Sequence, residues 1–253
     1  MSKYGLDKFY TKEEVVDDIL NKIDISKFSS VVEPSAGNGS FSKKIENVYA
    51  YDIEPEDNSI EKKDFFEIDF KTFKKPILVI GNPPFGRNGS LALSFIKHCD
   101  YADTIAFILP KSFKKISFYN KIPLNFWKIY EEDLPDYSFT FNGKDVNIPC
   151  VFQVYEKRKE EREKKKIEQP DYFSFVDKKN ADLSLRRVGV NAGSCSKDTD
   201  KSKESHYFIK TEKPDLFLKL FNSIDWRHNN TVGPRSISKI ELIEEINKIY
   251  RKI

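Results

Sequence analysis

The sequence is poor in the residues that build disulfide bonds and zinc sites. Its 253 residues include three cysteines and three histidines, and Cys99, Cys150 and Cys195 are scattered, with no pair at metal-ligand spacing. An odd, dispersed set of cysteines argues against a disulfide framework and against a zinc centre. We therefore expect no metal and a reducing compartment. That compartment is the cytoplasm, or the nucleus or host cytoplasm for a eukaryotic or viral source.

Long apolar runs are missing as well. Segments such as Ile77–Ile80 and Thr104–Leu109 are far shorter than the ~20 residues that cross a bilayer. The first fourteen residues lack the apolar stretch of a secretory signal. With 39% hydrophobic and 33% charged residues, the composition is typical of a soluble globular protein. The sequence thus predicts no membrane partner.

The net charge of +3 is small, but its distribution is uneven. Residues 156–253 carry 23 Lys and Arg against 17 Asp and Glu, whereas the first 155 residues carry 20 against 23. This asymmetry is typical of a catalytic domain with a basic extension that contacts phosphates, and equally of an ordinary solvated surface. We predict a catalytic domain over 1–157, and a charged linker with a small basic α+β extension for substrate recognition over 158–253.

Short apolar runs alternate with amphipathic stretches in the first part, which predicts a doubly wound α/β sheet. A capping box at Thr11 and Glu14 predicts a helix over 12–22, and a second helix is expected over 90–98. A helix is also expected to begin at 40–45. The expected strands are 30–33, 48–53, part of 60–66, 77–81, 104–109, 127–131, 137–141 and 150–155, the last antiparallel.

The composition changes abruptly after residue 155. The charged run EKRKEEREKKKIEQ at 156–169 predicts a solvated helix or hinge. Short strands are expected at 172–176, 181–188 and 206–209, with a mobile polar loop at 193–205. Two helices, near 216–223 and from 237 to the end, complete the prediction.

Three polar sites follow successive strands of the predicted sheet. Gly37 and Gly39 in EPSAGNG allow close approach of a ligand to the backbone, although such a pair is also typical of a plain tight turn. Asp52 follows the next strand and suits a ribose diol, or is a surface carboxylate. Asp64 could accept from an adenine amine, and Phe65 could pack on its ring. Together they predict a nucleoside-binding cleft.

Asn82-Pro83-Pro84-Phe85 follows a further apolar strand and carries the clearest chemistry. Two prolines fix a stiff corner, which presents the Asn82 amide and the Pro83 carbonyl. These two oxygens can accept both N–H bonds of an aromatic amine, free its lone pair for a sulfonium methyl donor, and stabilise the developing positive charge. Phe85 offers a face for an extruded base. A simple Pro-Pro turn is the alternative.

In order along the chain, FYT at 9–11, EPSAGNG at 33–39, AYDIEP at 50–55 and NPPF at 82–85 resemble the motifs of S-adenosylmethionine-dependent methyltransferases that act on adenine N6. The order is similar to the gamma arrangement of the DNA enzymes, and small phage or viral enzymes are also similar. The resemblance implies a Rossmann-like class I methyltransferase fold, with a seven-stranded, mostly parallel sheet that contains an antiparallel strand.

The resemblance also implies residue roles. Asn82, Pro83, Pro84 and Phe85 would be catalytic. The residues implied to bind S-adenosylmethionine are Phe9, Tyr10, Thr11, Glu33, Pro34, Ser35, Ala36, Gly37, Asn38, Gly39, Asp52, Ile53, Asp64, Phe65 and Asn82.

The expected contacts with nucleic acid are four cations: Lys111, Arg186, Arg187 and Arg235. We expect methylation of adenine N6 in a nucleic acid, with DNA slightly ahead of RNA. The small size of the extension, compared with the large target-recognition domains of gamma-type DNA enzymes, keeps structured RNA a candidate substrate. Two alternatives remain open: an enzyme that methylates a glutamine amide of a protein, and a catalytically silent subunit that binds nucleic acid or a partner.

Overall fold

The computed structural model describes residues 8–166, 168–226 and 235–250. The chain divides into two compact units. Within the described residues, the first unit comprises 8–114 and 118–164, and the second comprises 115–117 with 165–166, 168–226 and 235–250.

In its described residues, the first unit contains ten strands and two helices of eight and nine residues; a third helix, of four residues, has its first two residues in the second unit. The strands are β1 (Tyr10–Thr11), β2 (Ser30–Glu33), β3 (Val48–Asp52), β4 (Glu61–Lys62), β5 (Ile77–Gly81), β6 (Thr104–Pro110), β7 (Phe126–Asp133), β8 (Phe139–Phe141), β9 (Lys144–Val146) and β10 (Cys150–Lys157). The helices are α1 (Glu13–Leu20), α2 (Ser90–His98) and, between β6 and β7, α3 (Ile116–Tyr119).

Seven of these strands form one sheet in the order β4-β3-β2-β5-β6-β10-β7. The first five are parallel, whereas β10 runs antiparallel to both β6 and β7. The central strands are apolar on both faces because helices and loops cover both: every residue of β5 is buried. The predicted architecture is confirmed: a Rossmann-like, seven-stranded and mostly parallel sheet with an antiparallel strand.

A smaller sheet places the N-terminal strand against a later hairpin. Strand β1 pairs with β8, with Tyr10 opposite Thr140 and Thr11 opposite Phe139. Asn142 and Gly143 both have positive φ and form the turn between β8 and β9. This pairing fixes the position of residues 10–11 beside the carboxyl ends of the parallel strands.

Two local predictions are wrong, and the helix, one of the two alternatives for the charged run, is not observed in the part of the run that the structure describes. After residues 33–39, which we call the glycine loop, there is only a 3₁₀ turn, Ser42–Lys44. Strand β3 begins four residues later and leaves no room for the predicted helix. Thr11 caps nothing: it is buried in β1, and Lys12 is the N-cap of α1 without a side-chain bond.

The charged run also forms no helix in its described residues, since β10 continues to Lys157 and irregular chain follows. Arg162 in this run is only 4% exposed, with its guanidinium donating to the carbonyls of Tyr119, Ile122 and Phe126. These bonds hold the segment in an extended path, which a charge pattern cannot reveal.

The second unit contains a four-stranded antiparallel sheet and two helices. Its strands, in the order β11-β14-β12-β13, are β11 (Ser174–Phe175), β12 (Leu183–Arg186), β13 (Cys195–Ser196) and β14 (His206–Lys210). The helices are α4 (Pro214–Ser223) and α5 (Lys239–Tyr250), which bury apolar faces in a core with the sheet. The last three residues of the predicted C-terminal helix lie outside the described residues. Strand β13 occupies part of the predicted polar loop.

No helix among the residues described is both long enough and apolar enough to span a membrane.

Candidate functional site

A cavity lies at the carboxyl ends of the parallel strands of the first unit. Its volume is about 160 Å³, whereas one water needs roughly 10–15 Å³ on the same measure, so the cavity is sized for a ligand. Nearly all the predicted active-site residues line it: Phe9, Tyr10, Thr11, Glu33, Pro34, Ser35, Ala36, Gly37, Asn38, Asp52, Ile53, Asp64, Phe65, Asn82, Pro83, Pro84 and Phe85.

Gly39 is the one predicted cofactor residue that does not line the cavity. Its φ of +85° turns the chain, and its N–H donates to the Ala36 carbonyl at 2.7 Å. Gly37, with φ +55°, does face the cavity. A Cβ there would lie 3.2 Å from the ring of Tyr10, so the loop and this ring are in close contact.

Glu33, at the end of β2, is the most perturbed acid of the site. It is 2% exposed, and its Oε2 has no hydrogen-bond partner. Burial raises the pKa of Glu33 to about 8, so the carboxyl is neutral at pH 7. The space for it comes from Gly81 at the end of β5, where a Cβ would lie 3.3 Å from Glu33 Cγ. A buried acceptor without a partner in a cavity indicates a site for a cationic or N–H donor.

Asp52, at the end of β3, is held by the backbone. Its Oδ2 accepts from Gly37 N–H at 2.7 Å and its Oδ1 from Glu54 N–H at 2.8 Å. A carboxylate has about four lone-pair sites, so both oxygens can still accept from a ligand hydroxyl. The bond to Gly37 also couples the carboxylate to the glycine loop.

At residues 64–66 the structure differs from the prediction in which phenylalanine ring is open to a ligand. Asp64 lines the cavity, and its Oδ1 accepts from Phe66 N–H at 3.0 Å. Phe65 is only 3% exposed, and its ring stacks on Phe95 with a centroid distance of 4.6 Å. Phe66 is 39% exposed and lines the cavity. The ring available to a ligand at this edge is therefore that of Phe66.

The Asn82-Pro83-Pro84-Phe85 corner follows β5 directly and lines the cavity. Asn82 Nδ2 donates to the Phe9 carbonyl at 3.4 Å, which directs the amide, and Oδ1 is buried without a partner. Ser35 Oγ donates to the Asn82 carbonyl at 3.2 Å and ties the glycine loop to this corner. An unpartnered buried acceptor here fits a ligand that donates an N–H bond.

The N-terminal segment is fastened over the glycine loop by charged groups. The Tyr10 hydroxyl donates to Glu56, and Lys8 Nζ lies 2.9 Å from the same carboxylate. Burial, with the bond to Glu56, raises the pKa of the Tyr10 hydroxyl. Residues 8–10 thus form one wall of the cavity.

None of the four predicted nucleic-acid contacts is among the residues that line the cavity. Lys111 Nζ pairs with Asp133 at 2.9 Å, a carboxylate that Lys114 also contacts. In the second unit, Arg187 Nη2 donates to the Glu204 carbonyl at 2.9 Å, and Arg186 Nε donates to the Val188 carbonyl at 3.1 Å. The Arg235 carbonyl accepts from Gly189 N–H, which brings the chain at 235 beside 186–189.

Several cavity residues were missed by the sequence analysis. Glu54 and Phe66 adjoin predicted residues and could have been found from that proximity. Phe139 and Ile148 come to line the cavity through the pairing of β1 with β8, and no local sequence pattern shows that pairing. The complete set of missed residues is Lys8, Ser40, Phe41, Glu54, Phe66, Leu91, Phe95, Phe139 and Ile148.

Within the described ranges, no group of three or more His, Cys, Asp or Glu side chains could hold a metal ion. Burial raises the pKa values of Cys99, Cys150 and Cys195, the last to about 12, so none is a ready thiolate.

Comparison with known proteins finds no matching family model and no matching curated protein. Many solved structures are similar, including these three. A protein of Pyrococcus horikoshii described as a proposed RNA methyltransferase shares 17% identity over 60% of this chain and 87% of that one (TM-score 0.44). The modification subunit of a proposed type I restriction enzyme from Vibrio vulnificus shares 13% over 90% and 55% (TM-score 0.43). Methanocaldococcus jannaschii Trm5 in complex with adenosine shares 19% over 60% and 51% (TM-score 0.38). Likeness at this level assigns no activity to the chain.

Proposed function

We propose that the chain transfers a methyl group from S-adenosylmethionine to the exocyclic N6 amine of adenine in a nucleic acid. The observation that carries the proposal is the pair of buried acceptors without partners in one cavity, Glu33 Oε2 and Asn82 Oδ1. Each fits a donor that the reaction would bring: an ammonium group for the first, and the reacting amine for the second.

The charges of the cavity fit a cationic methyl donor. Four carboxyl groups line it, whereas the one lining cation, Lys8, is paired with Glu56. S-adenosylmethionine supplies a methyl group on a sulfonium and also carries an ammonium. Glu33 would accept from the ammonium, Asp52 from the ribose hydroxyls and Asp64 from the adenine amine. Gly37 leaves room for the backbone to approach, and Phe66, beside the predicted Phe65, offers a ring face.

The Asn82 corner fits the acceptor amine. Asn82 Oδ1 and the Pro83 carbonyl would accept the two N–H bonds of the adenine amine, which draws its lone pair out of conjugation with the ring. The new N–C bond forms as the C–S bond breaks, and both oxygens stabilise the positive charge that develops on nitrogen. One amine proton then leaves to water, so no strong general base is required. Phe85 would hold the flipped base by stacking.

The second unit supports a nucleic-acid substrate over a protein. Arg186, Arg187 and Arg235 lie on neighbouring backbone segments, joined by the bridge between Val188 and Ser236. Guanidinium groups suit phosphodiesters. We propose residues 158–253 as the substrate-recognition part. We propose DNA slightly ahead of RNA as the substrate.

A transfer assay with a labelled methyl donor tests the proposal. DNA, RNA and a protein extract are incubated separately with the protein, and donor binding is measured in parallel by calorimetry. The proposal expects label in a nucleic-acid pool. Label confined to protein would favour the glutamine-amide alternative. Donor binding without any transfer would favour the silent partner subunit.

A further inference from the structure

We propose that Arg87 holds the phosphate backbone beside the target nucleotide, an inference that rests on the proposed function. Arg87 follows the Asn82-Pro83-Pro84-Phe85 corner by two residues, and its side chain is exposed. It belongs to the four-residue loop Gly86–Gly89, which we call the rim loop. Phe85 and Leu91, which flank the rim loop, both line the cavity, so the loop lies at the rim of the cavity.

The backbone of the rim loop is closely constrained. Gly86, Asn88 and Gly89 have φ values of +66°, +54° and +73°, a region that side chains rarely adopt. A Cβ at Gly86 would lie 2.6 Å from Leu91 Cβ, and one at Gly89 would lie 2.9 Å from the Phe113 ring. Backbone with positive φ costs free energy at residues other than glycine, and such residues are found most often at functional sites.

The consequence of this shape is a fixed backbone position for Arg87. Gly89 N–H donates to the Gly86 carbonyl at 3.3 Å, and the Phe85 carbonyl accepts from the N–H groups of Leu91 and Ala92. The loop is thereby closed on itself and anchored to the first turn of α2. A residue on a fixed loop loses little backbone entropy when it binds, so more of the contact energy remains as affinity.

The charges around the cavity explain why a cation is needed there. The lining carboxyl groups of Asp52, Glu54 and Asp64 would repel a polyanion that brings its base to Asn82. Lys111, the cation expected from the sequence, is paired with Asp133. The Arg87 side chain, in contrast, makes no hydrogen bond or ion pair with any residue that the structure describes; its backbone carbonyl accepts from Ser90 N–H. Arginine also grips phosphate with two parallel N–H bonds.

The Arg87 side chain is long enough to contact the phosphate of the target nucleotide or of its immediate neighbour. Two residues of chain span at most ~7 Å, so the backbone of Arg87 lies within that distance of Phe85. A base stacked on Phe85 therefore brings its own phosphate, or that of its neighbour, within reach of the guanidinium. The ligand chemistry is a phosphodiester, which DNA and RNA share.

The test compares Arg87→Ala with Lys97→Ala in the full chain. Lys97 is an exposed cation on α2, the helix that follows the rim loop, and it makes no ion pair with a described residue, so its removal changes the net charge equally. Affinity for DNA and RNA oligonucleotides is measured between about 50 and 200 mM salt, together with transfer kinetics and donor affinity.

The inference expects about tenfold weaker binding of nucleic acid by Arg87→Ala at the lowest salt. The slope of log affinity against log salt concentration should fall by about one, as the loss of one phosphate contact requires. KM for nucleic acid should rise by a similar factor while donor affinity is unchanged. Arg87→Lys should keep the slope and lose less affinity, and Lys97→Ala should match the wild type.

Three results would overturn the inference. If Arg87→Ala keeps the wild-type slope and KM while the wild type methylates nucleic acid, only the role of Arg87 fails. If the wild type neither binds nor methylates DNA or RNA, the proposed function fails and this inference with it. If the variant also loses donor affinity, Arg87 supports the fold of the rim loop and is not a phosphate contact.

Discussion

Replacement of Asn82 by alanine removes the acceptor on which the proposed chemistry depends. Among the described residues the amide makes one hydrogen bond, a 3.4 Å donation from Nδ2 to the Phe9 carbonyl, and its buried Oδ1 has no partner. Loss of one hydrogen bond lowers the stability of the fold by ~0.5–1.5 kcal/mol. Removal of a buried acceptor that has no partner also removes its desolvation cost, which offsets part of that loss. We therefore expect Asn82→Ala to fold and to bind the donor nearly as the wild type does.

The effect on turnover should be much larger. Loss of one preorganised group that stabilises developing charge typically lowers kcat by about 100- to 1000-fold, or roughly 3–4 kcal/mol. The assay is single-turnover methyl transfer to the preferred nucleic acid, with donor affinity measured by calorimetry on the same samples. A fall in donor affinity of the same size would assign Asn82 to cofactor binding instead.

Asn125 provides a matched control. Its Nδ2 also makes one long bond, 3.3 Å to Asp100, and its Oδ1 is also buried without a partner, yet it does not line the cavity. Asn125→Ala should leave turnover unchanged. If Asn82→Ala retains at least half the wild-type rate, or if both variants lose turnover equally, the reasoning about Asn82 is refuted.

Three further predictions concern the same cavity. Burial raises the pKa of Glu33 to about 8, so an ammonium ligand can pair with this carboxyl only after its proton has left. Donor affinity should therefore rise about tenfold per pH unit from pH 6 towards 8, and level off where the amine of the free ligand deprotonates. Glu33→Gln should flatten that dependence in calorimetry, and an unchanged slope would contradict the role of Glu33. Gly37→Ala, which strains a φ of +55° and presses on Tyr10, should weaken donor binding more than nucleic-acid binding, and unaltered donor affinity would contradict the contact. Phe85→Ala should raise KM for nucleic acid by about 5- to 150-fold, equivalent to the ~1–3 kcal/mol of base stacking, and a wild-type KM would remove stacking from the account.

The parallel sheet could be predicted from the sequence because its strands are short apolar runs closed by turn residues. Strand β5 and helix α2 have the predicted bounds, since two prolines end the first and the apolar pattern of the second is clear. The sites at the strand ends follow from the sheet, because parallel strands bring their carboxyl ends to one edge.

The remaining features depend on contacts between distant parts of the chain. Arg162 is buried by carbonyl groups about 40 residues earlier, so a run of charge that predicts a solvated helix becomes an anchored, irregular segment. The pairing of Tyr10 with Thr140 brings Phe139 into the cavity, and neither strand shows its partner locally. Both rings line the cavity, but Phe66 is the more exposed because the 3₁₀ turn at Phe65–Glu67 directs the Phe65 ring into the core.

The position of the added methyl group tests the central claim most directly. DNA and RNA incubated with the protein and S-adenosylmethionine are digested to nucleosides and analysed by mass spectrometry, with Asn82→Ala in parallel. The account predicts N6-methyladenine with the wild type and a loss of about 100-fold or more in the variant. Methylation at another base or atom, or equal N6-methyladenine from both proteins, would contradict it.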